Sequence, residues 1–395
     1  MSRRLAALML VGSCVPTGAL GQVLPPGYKD VVEITNDSAF NYSAAINNRG
    51  QIVFSKWINP NDPSTSEIYL YDNGKLTRLT DDNIWDDYPD INDAAEIVWS
   101  RAVGSNGTLE IVLWRDARLT RLTYDDLRDS ESSINNGGLI AWKKATAKGC
   151  GASDADIYLY DGADVRRISD GWLSNQSPHL NDLGDIIWTR YNFCHSPWTS
   201  EIMLYSDGRI EVLTGDQGAP RRPRINNARL AAWFSAEPPG WDDHIVMWQS
   251  GRRWLLTDWG SALDLNDRAD VVFNRWHEES RTWQVWLYRE GRFSQITNDP
   301  FWNRSGVIDR AGNIAWTAGP TFDSDIRLLR RYAQGDLNCD KSVNNFDIDP
   351  FVVALTDPQG YGKQYPLCDC TLADINVDGA VNNFDIDPFV ELLSK

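Results

Sequence analysis

A phrase close to Ile-Asn-Asp recurs seven times through this 395-residue chain, starting at Ile46, Ile91, Ile134, Leu180, Ile225, Leu265 and Ile308. A period of about 43 residues held over seven copies excludes most folds. Each copy must be one supersecondary unit that buries its apolar face against the next. Every start leads into three apolar residues, the last aromatic: Ile52-Val53-Phe54, Ile97-Val98-Trp99, Ile140-Ala141-Trp142, Ile186-Ile187-Trp188, Ala231-Ala232-Trp233, Val271-Val272-Phe273 and Ile314-Ala315-Trp316. Short apolar runs bounded by Asn, Asp and Gly read as strands buried on both faces, with the terminal aromatic in the core.

A second strand follows in each copy, as in Ile68-Tyr69-Leu70-Tyr71 and Ile157-Tyr158-Leu159-Tyr160. Turns such as Asp72-Asn73-Gly74 and Ser206-Asp207-Gly208 then lead to a third, such as Leu76-Thr77-Arg78-Leu79-Thr80. Asn-Gly and Asp-Gly tolerate positive φ and so join antiparallel neighbours. A segment ahead of each Ile-Asn, such as Asp87-Tyr88-Pro89-Asp90, supplies a fourth strand. Four antiparallel strands per period make a propeller blade. The seventh copy stops after Ile326-Arg327-Leu328-Leu329, one strand short, while Val31 to Asp37 matches the end of the other copies, as in Thr297-Asn298-Asp299. The expectation is an all-β, seven-bladed propeller whose last blade is completed by the N-terminal strand, which leaves no open edge.

Ile-Asn-Asp-x-Gly, apolar-apolar-Trp, Ile-Tyr-x-Tyr-Asp and Leu-Thr together resemble the TolB-type, WD-repeat-like propeller repeat over residues 28–332. The family's proline stands only at Pro89, Pro178 and Pro223, and the glycine is missing from the second, fifth and sixth copies. The resemblance implies the fold. The family's partner contacts are not carried over, because its partner-binding loops have no matching motif here.

Beyond the repeats, VNNFDIDPFV is written twice, at Val343–Val352 and Val381–Val390. Each copy completes a run of oxygen-bearing side chains. Asp336, Asn338, Asp340, Asn344 and Asp347 occupy loop positions 1, 3, 5, 9 and 12, and so do Asp374, Asn376, Asp378, Asn382 and Asp385. That is calcium-loop spacing, in which position 7 (Ser342 or Ala380) offers only its carbonyl. Gly379 suits the sharp turn at position 6 and Lys341 does not. Helical turns should follow, with Pro350 and Pro388 in the first turn, where a missing N–H costs nothing. Two loops, each followed by one helix and opened by Gly335-Asp336-Leu337-Asn338, resemble a type I dockerin over residues 334–395. The resemblance implies a small α-helical domain holding two Ca²⁺ ions and docking onto a cohesin-type partner. The docking face would be built on Phe346 and Ile348 in one copy and Phe384 and Ile386 in the other. So small a core needs the metal to fold. Cys339 paired with Cys368 or with Cys370 would add a staple.

The formal charge of −17 argues against nucleic acid and anionic membranes, which select basic patches. Arg3 and Arg4, an apolar stretch and Ala19-Leu20-Gly21 read as an export signal over residues 1–21. In the alternative, Val11-Gly12-Ser13-Cys14 is a lipoprotein signal that anchors Cys14. No other stretch is long and apolar enough to cross a bilayer. Export puts the five remaining cysteines in an oxidising compartment and leaves one over. Cys150 and Cys194, in equivalent loops of neighbouring copies, are expected to pair.

No Gly-x-Ser-x-Gly or His-Glu-x-x-His occurs, and His179, His195, His244 and His277 fall in four different copies, read as solvated or locally bonded loop residues. Too little chain follows the ring for a peptidase's hydrolase domain. Phe40, Trp85, Trp172, Trp259 and Trp302 precede successive copies and share a face with Trp57, Trp198, Trp241 and Trp276. They form either a sugar- or peptide-binding face or a set of wedges between blades. The expected function is that of a secreted, non-catalytic binding or scaffold protein docked through its tail. The alternative is a polysaccharide-degrading hydrolase or lyase with its active site on the propeller face.

Overall fold

The computed structural model describes the chain except residues 1–23, 26, 60–61, 105–106, 147–153, 170, 172, 195–198, 215–218, 237–242, 321–322, 341, 367, 377–379 and 395. Two compact units result: Val32–Leu328, and the residues up to Val31 together with Leu329–Lys395. The 28 strands β1–β28 form seven four-stranded sheets. The first strand of each blade is β2 (Asn41–Ile46), β6 (Asp86–Ile91), β10 (Asp129–Ile134), β14 (Ser174–Leu180), β18 (Arg221–Ile225), β22 (Ser261–Leu265) or β26 (Trp302–Ile308). These seven touch their neighbours all round the ring and therefore line its axis. Blade seven runs β26, β27 (Ile314–Gly319), β28 (Asp325–Arg331) and then β1 (Tyr28–Glu33), so the N-terminal strand supplies the missing fourth strand.

The sequence signals correspond to particular bonds. Phe54, Trp99, Trp142, Trp188, Trp233, Phe273 and Trp316, which end the apolar triplets, are all buried. Where this residue is Trp, its indole N–H can reach back to the inner strand. Trp99 donates to Asp86 (2.7 Å), Trp142 to Asp129 (2.8 Å), Trp188 to Asn175 (2.7 Å) and Trp316 to Asn303 (2.9 Å). Blade one has Phe54 instead, and the equivalent Asn41 Oδ1 is left without a hydrogen bond. The Leu-Thr signature has a similar cause. The hydroxyls of Thr80, Thr123, Ser169, Thr214 and Thr297 accept the N–H of Ile68, Ile111, Ile157, Ile202 and Val285. Thr35 does the same for Ile326 at 2.9 Å, fixing the register of the closing strand.

The Asn of each Ile-Asn phrase does two jobs. Its Oδ1 accepts backbone N–H groups of its own turn, as Asn47 does from Arg49 and Gln51 (both 3.0 Å). Its Nδ2 donates to the backbone carbonyl at the same position of the next blade: Asn47 to Asn92, Asn92 to Asn135, Asn135 to Asn181, Asn181 to Asn226, Asn226 to Asn266 and Asn266 to Asp309.

Two predictions follow from these bonds. Asn135→Ala strands the Leu139 N–H and takes from the buried Asn181 carbonyl one of its two hydrogen bonds, and should lower stability by roughly 1–3 kcal/mol, read from the urea midpoint. Burial pushes the Asp129 carboxyl up to about 7, against partial relief from Lys144 and Trp142. The unfolded chain, with an ordinary value of 3.8, releases that proton first, so this group makes stability fall as pH rises from about 4 to about 7. Asp129→Asn keeps the indole bond, as Asn175 and Asn303 do, and should flatten that slope in Tm measured against pH. An unchanged slope would show that Asp129 titrates normally.

Candidate functional site

In the C-terminal unit the first loop closes on itself. Asp347, fully buried, accepts the N–H groups of Leu337 (2.7 Å), Asn338 (3.0 Å) and Asn344 (2.8 Å). Asp336 accepts from Asp340 N (3.1 Å), and Asp340 from Ser342 N (2.9 Å). The second loop repeats the frame: Asp385, also fully buried, accepts from Asn376 N (3.1 Å) and Asn382 N (2.9 Å). Asn344 and Asn382 each cap the short helical turn that follows, taking Phe346 N and Phe384 N at 2.8 Å. Lys341 and Asp378 lie outside the described residues. The donor set is all oxygen and includes buried carboxylates, which fits a hard cation such as Ca²⁺. Asp336, Asn338, Asp340, the Ser342 carbonyl and Asp347 would hold one ion. Asp374, Asn376, the Ala380 carbonyl and Asp385 would hold the other.

Helices α1 (Ile348–Thr356) and α3 (Ile386–Leu393) follow the loops. Between them lies α2 (Pro358–Gln364), which the repeat pattern did not foretell. Its sequence signal is Asp357-Pro358: Asp357 caps Gly360 N at 3.0 Å, and proline opens the helix. Each copy of the repeated phrase contains two phenylalanines with opposite fates. Phe351 and Phe389 stack on each other at 4.2 Å in the core, whereas Phe346 and Phe384 are 77% and 78% exposed. Ile348 and Ile386 (42% and 39%) and Val352 and Val390 (48% and 58%) are exposed in matching pairs beside them. Gly335 has φ +90°, and a Cβ there would meet Leu392 Cδ2 at 2.7 Å, so glycine is required where the first loop meets α3.

Cys339 pairs with Cys368, one of the two pairings the sequence left open. Cys194 and Cys370 are also disulfide-bonded, so the leftover thiol expected from an odd count does not lie among the described cysteines. Cys14 and Cys150 lie outside the described residues.

The aromatic residues at the other end of the blades divide. Phe40 stacks on Tyr42 (4.8 Å) and meets Trp57 edge-on (4.8 Å), and the Trp57 indole donates to the Tyr42 hydroxyl at 3.0 Å. Trp302 packs against Trp276 (6.5 Å). These are wedges. Trp85 meets Tyr88 edge-on at 6.4 Å, while Trp259 stands 43% exposed. Trp172, Trp198 and Trp241 lie outside the described residues.

A feature with no motif in the sequence shapes the axis. Every inner strand carries a bulge whose central residue has positive φ: Ser43, Tyr88, Glu131, Ser177, Arg222, Ala262 and Ser305, with φ between 47° and 55°. None of the seven is buried. Two residues along, the next inner-strand position bridges blades. Asp90 accepts Ile134 N (2.9 Å), Ser133 accepts Leu180 N (3.4 Å), His179 Nδ1 accepts Ile225 N (3.3 Å) and Asp264 accepts Ile308 N (3.0 Å). His179 is therefore a strand residue, not the loop residue expected. His244 and His277 are also in strands, β20 (Asp243–Gln249) and β23 (Val271–His277), and His195 lies outside the described residues. Burial, helped by the charge of Arg224, holds His179 well below its ordinary range, so the ring is neutral with its proton on Nε2. Burial raises the Asp90 and Asp264 carboxyls, and Arg224 draws both back down, 3.8 Å from Asp264. At the far end of the axis the seven Ile-Asn turns enclose a polar cavity of about 150 Å³.

No catalytic set is assembled among the described residues. His277 Nδ1 lies 3.0 Å from Ser280 Oγ, within one turn and with no acid bonded to the ring. Glu67, Asp82 and Asp86 lie within 4.8 Å of one another, but arginines already occupy that space. Arg78 pairs with Glu67 (3.2 Å), and Arg101 pairs with Asp86 (3.0 Å) and with Asp82.

Fold and axis together define a closed seven-bladed β-propeller carrying a small helical unit. No protein-family model and no curated protein matches the chain. Among solved structures it is similar to the β-propeller domain of the trilobed protease from Pyrococcus furiosus, with a TM-score of 0.57 and 9% identity over 75% of this chain and 98% of that one. It is also similar to the Pyrococcus horikoshii acylaminoacyl peptidase, with a TM-score of 0.55 and 12% identity over 74% of this chain and 52% of that one. TolB from Acinetobacter baumannii matches with a TM-score of 0.45 and 15% identity over 62% of each chain. At such identities the likeness concerns the fold.

The two phenylalanines of the repeated phrase give a direct test. Phe389→Ala should destabilise the C-terminal unit by about 3–5 kcal/mol, and Phe346→Ala by less than about 0.5 kcal/mol, both read as hydrogen exchange in the full chain.

Proposed function

We propose that this is an exported, non-catalytic adaptor. Its calcium-bound C-terminal unit docks onto a cohesin-type partner, and its propeller presents a face to a glycan or peptide. The observation that carries the docking reading is the twinned apolar face: Phe346, Ile348 and Val352 are exposed in one copy, and Phe384, Ile386 and Val390 in the other. Apolar groups held out of the core in two equivalent sets fit a partner surface that either copy can engage. The residues 1–21 signal supports export, and the bonded cysteines suit an oxidising compartment. The all-oxygen loops support calcium, which would stabilise the unit by about 2.7 kcal/mol per site when free Ca²⁺ is a hundred times its Kd.

The full chain, immobilised and exposed to the host's extracellular proteins, should retain a cohesin-type partner with calcium and release it with a chelator. Phe346→Ala alone should leave capture largely intact, because the second copy remains, whereas Phe346→Ala with Phe384→Ala should abolish it. Capture indifferent to both the chelator and the double variant would sink the proposal.

A further inference from the structure

We propose that the axial mouth on the bulged side of the ring binds an acidic saccharide chain through Arg128, Arg222 and the Tyr88 ring, the guanidinium groups receiving its uronate carboxylates. This rests on the adaptor reading and names the ligand class of its propeller.

The argument starts from charge. A chain of net charge −17 repels polyanions over most of its surface, so a local cluster of uncompensated cations needs a cause. Arg222 is the exposed bulge residue of blade five, with φ 49°. A non-glycine residue held there bears a conformational cost that the ring must impose. Arg128, also exposed, lies just ahead of the inner strand of blade three. Neither forms an ion pair among the described residues. Both act electrostatically on Tyr88 of blade two, and all three stand at the start of inner strands that line the axis, at its bulged end. The acids in that neighbourhood, Asp87 and Glu131, are already engaged: Asp87 is buried and accepts Ser55 Oγ at 3.0 Å and Tyr88 N at 2.6 Å. Glu131 pairs with Lys143 at 2.5 Å and accepts Ser177 N at 2.9 Å and Ser177 Oγ at 3.3 Å. Deeper in the axis, Arg224 is committed to Asp264 and Asp90, so an anion is not drawn past the mouth.

The walls decide which anion. Tyr88 is 44% exposed, with Trp85 bracing it edge-on, and Tyr191 stacks on Phe193 at 5.3 Å within reach of Arg222. Flat rings beside guanidinium groups suit a sugar ring that carries a carboxylate. Ser43, Ser177 and Ser305 add hydroxyls at bulge positions, where the largest aliphatic side chain is Ala262. Hydroxyls without an apolar pocket suit a polyol better than peptide side chains.

The test is calorimetric titration of the full chain with polygalacturonate, with neutral dextran and with a short peptide bearing a free C-terminal carboxylate. Polygalacturonate alone should bind, and added salt should weaken it, as expected of exposed charges. Arg128→Ala with Arg222→Ala should weaken binding at least about ten-fold, the scale of one lost charge-assisted hydrogen bond. Both side chains are exposed, so Tm should not move. If it does, the salt dependence of the unmodified chain still decides. Equal binding of dextran, preference for the peptide, binding indifferent to salt, or an unchanged affinity in the double variant would overturn the proposal. So would absence of polygalacturonate binding in a chain whose tail still docks, and that result would leave the adaptor reading standing. Loss of docking with glycan binding intact would count against the adaptor reading and support the site.

Discussion

The amide that six of the seven blades hand to the next is the interaction on which the ring depends. Apolar packing between sheets is strong but non-directional, and by itself it leaves neighbouring blades free to slide. The Asn47-to-Asn92 bond and its five successors fix both separation and height, because one side chain closes its own turn and reaches the next. A second ring runs beside it, formed by the following residue of each turn: Asn48, Asp93, Asn136, Asp182, Asn227 and Asp267. Asparagine and aspartate alternate there because a carboxylate only accepts and an amide can also donate. Seven is odd, so the alternation cannot close. Arg310 stands at the seventh place, donating its N–H to Asn48 at 2.9 Å with its guanidinium 4.0 Å from Asp267. A cation is the residue type that can follow an aspartate without competing for protons.

This explains why the fold was so legible in the sequence. The Ile-Asn phrase, the aromatic after two apolar residues and the Leu-Thr ending each carry a bond repeated through the ring, so each is written into most copies. The orphaned N-terminal strand was legible for the same reason, since Thr35 makes the bond that Thr297 makes in blade six. The bulges left no such trace. Ser43, Tyr88, Glu131, Ser177, Arg222, Ala262 and Ser305 share a left-handed backbone but no residue type, because the neighbouring inner strands impose the conformation and the side chain is free to vary. Positions that vary over a fixed backbone are where a propeller can acquire a ligand, and motif reading is blind to them. His179 reads as a loop residue for a similar reason: its partner is the backbone N–H of Ile225, which carries no sequence signature.

The tail shows the complementary limit. Ten identical residues in two places made the loops and helices legible, but could not say which phenylalanine of each copy faces inward. That is decided by the meeting of the copies, which brings Phe351 onto Phe389 and leaves Phe346 and Phe384 outside. The two loops nevertheless differ in how their shape is held. By sequence the second has Gly379 at loop position 6, where the first has Lys341. The first instead carries Cys339, at φ 58°, tied to Cys368 across 29 residues of chain. A cross-link removes open conformations from the unfolded ensemble, and only the first loop carries this one. A duplicated phrase can thus keep two equivalent outer faces while the chain beneath them diverges.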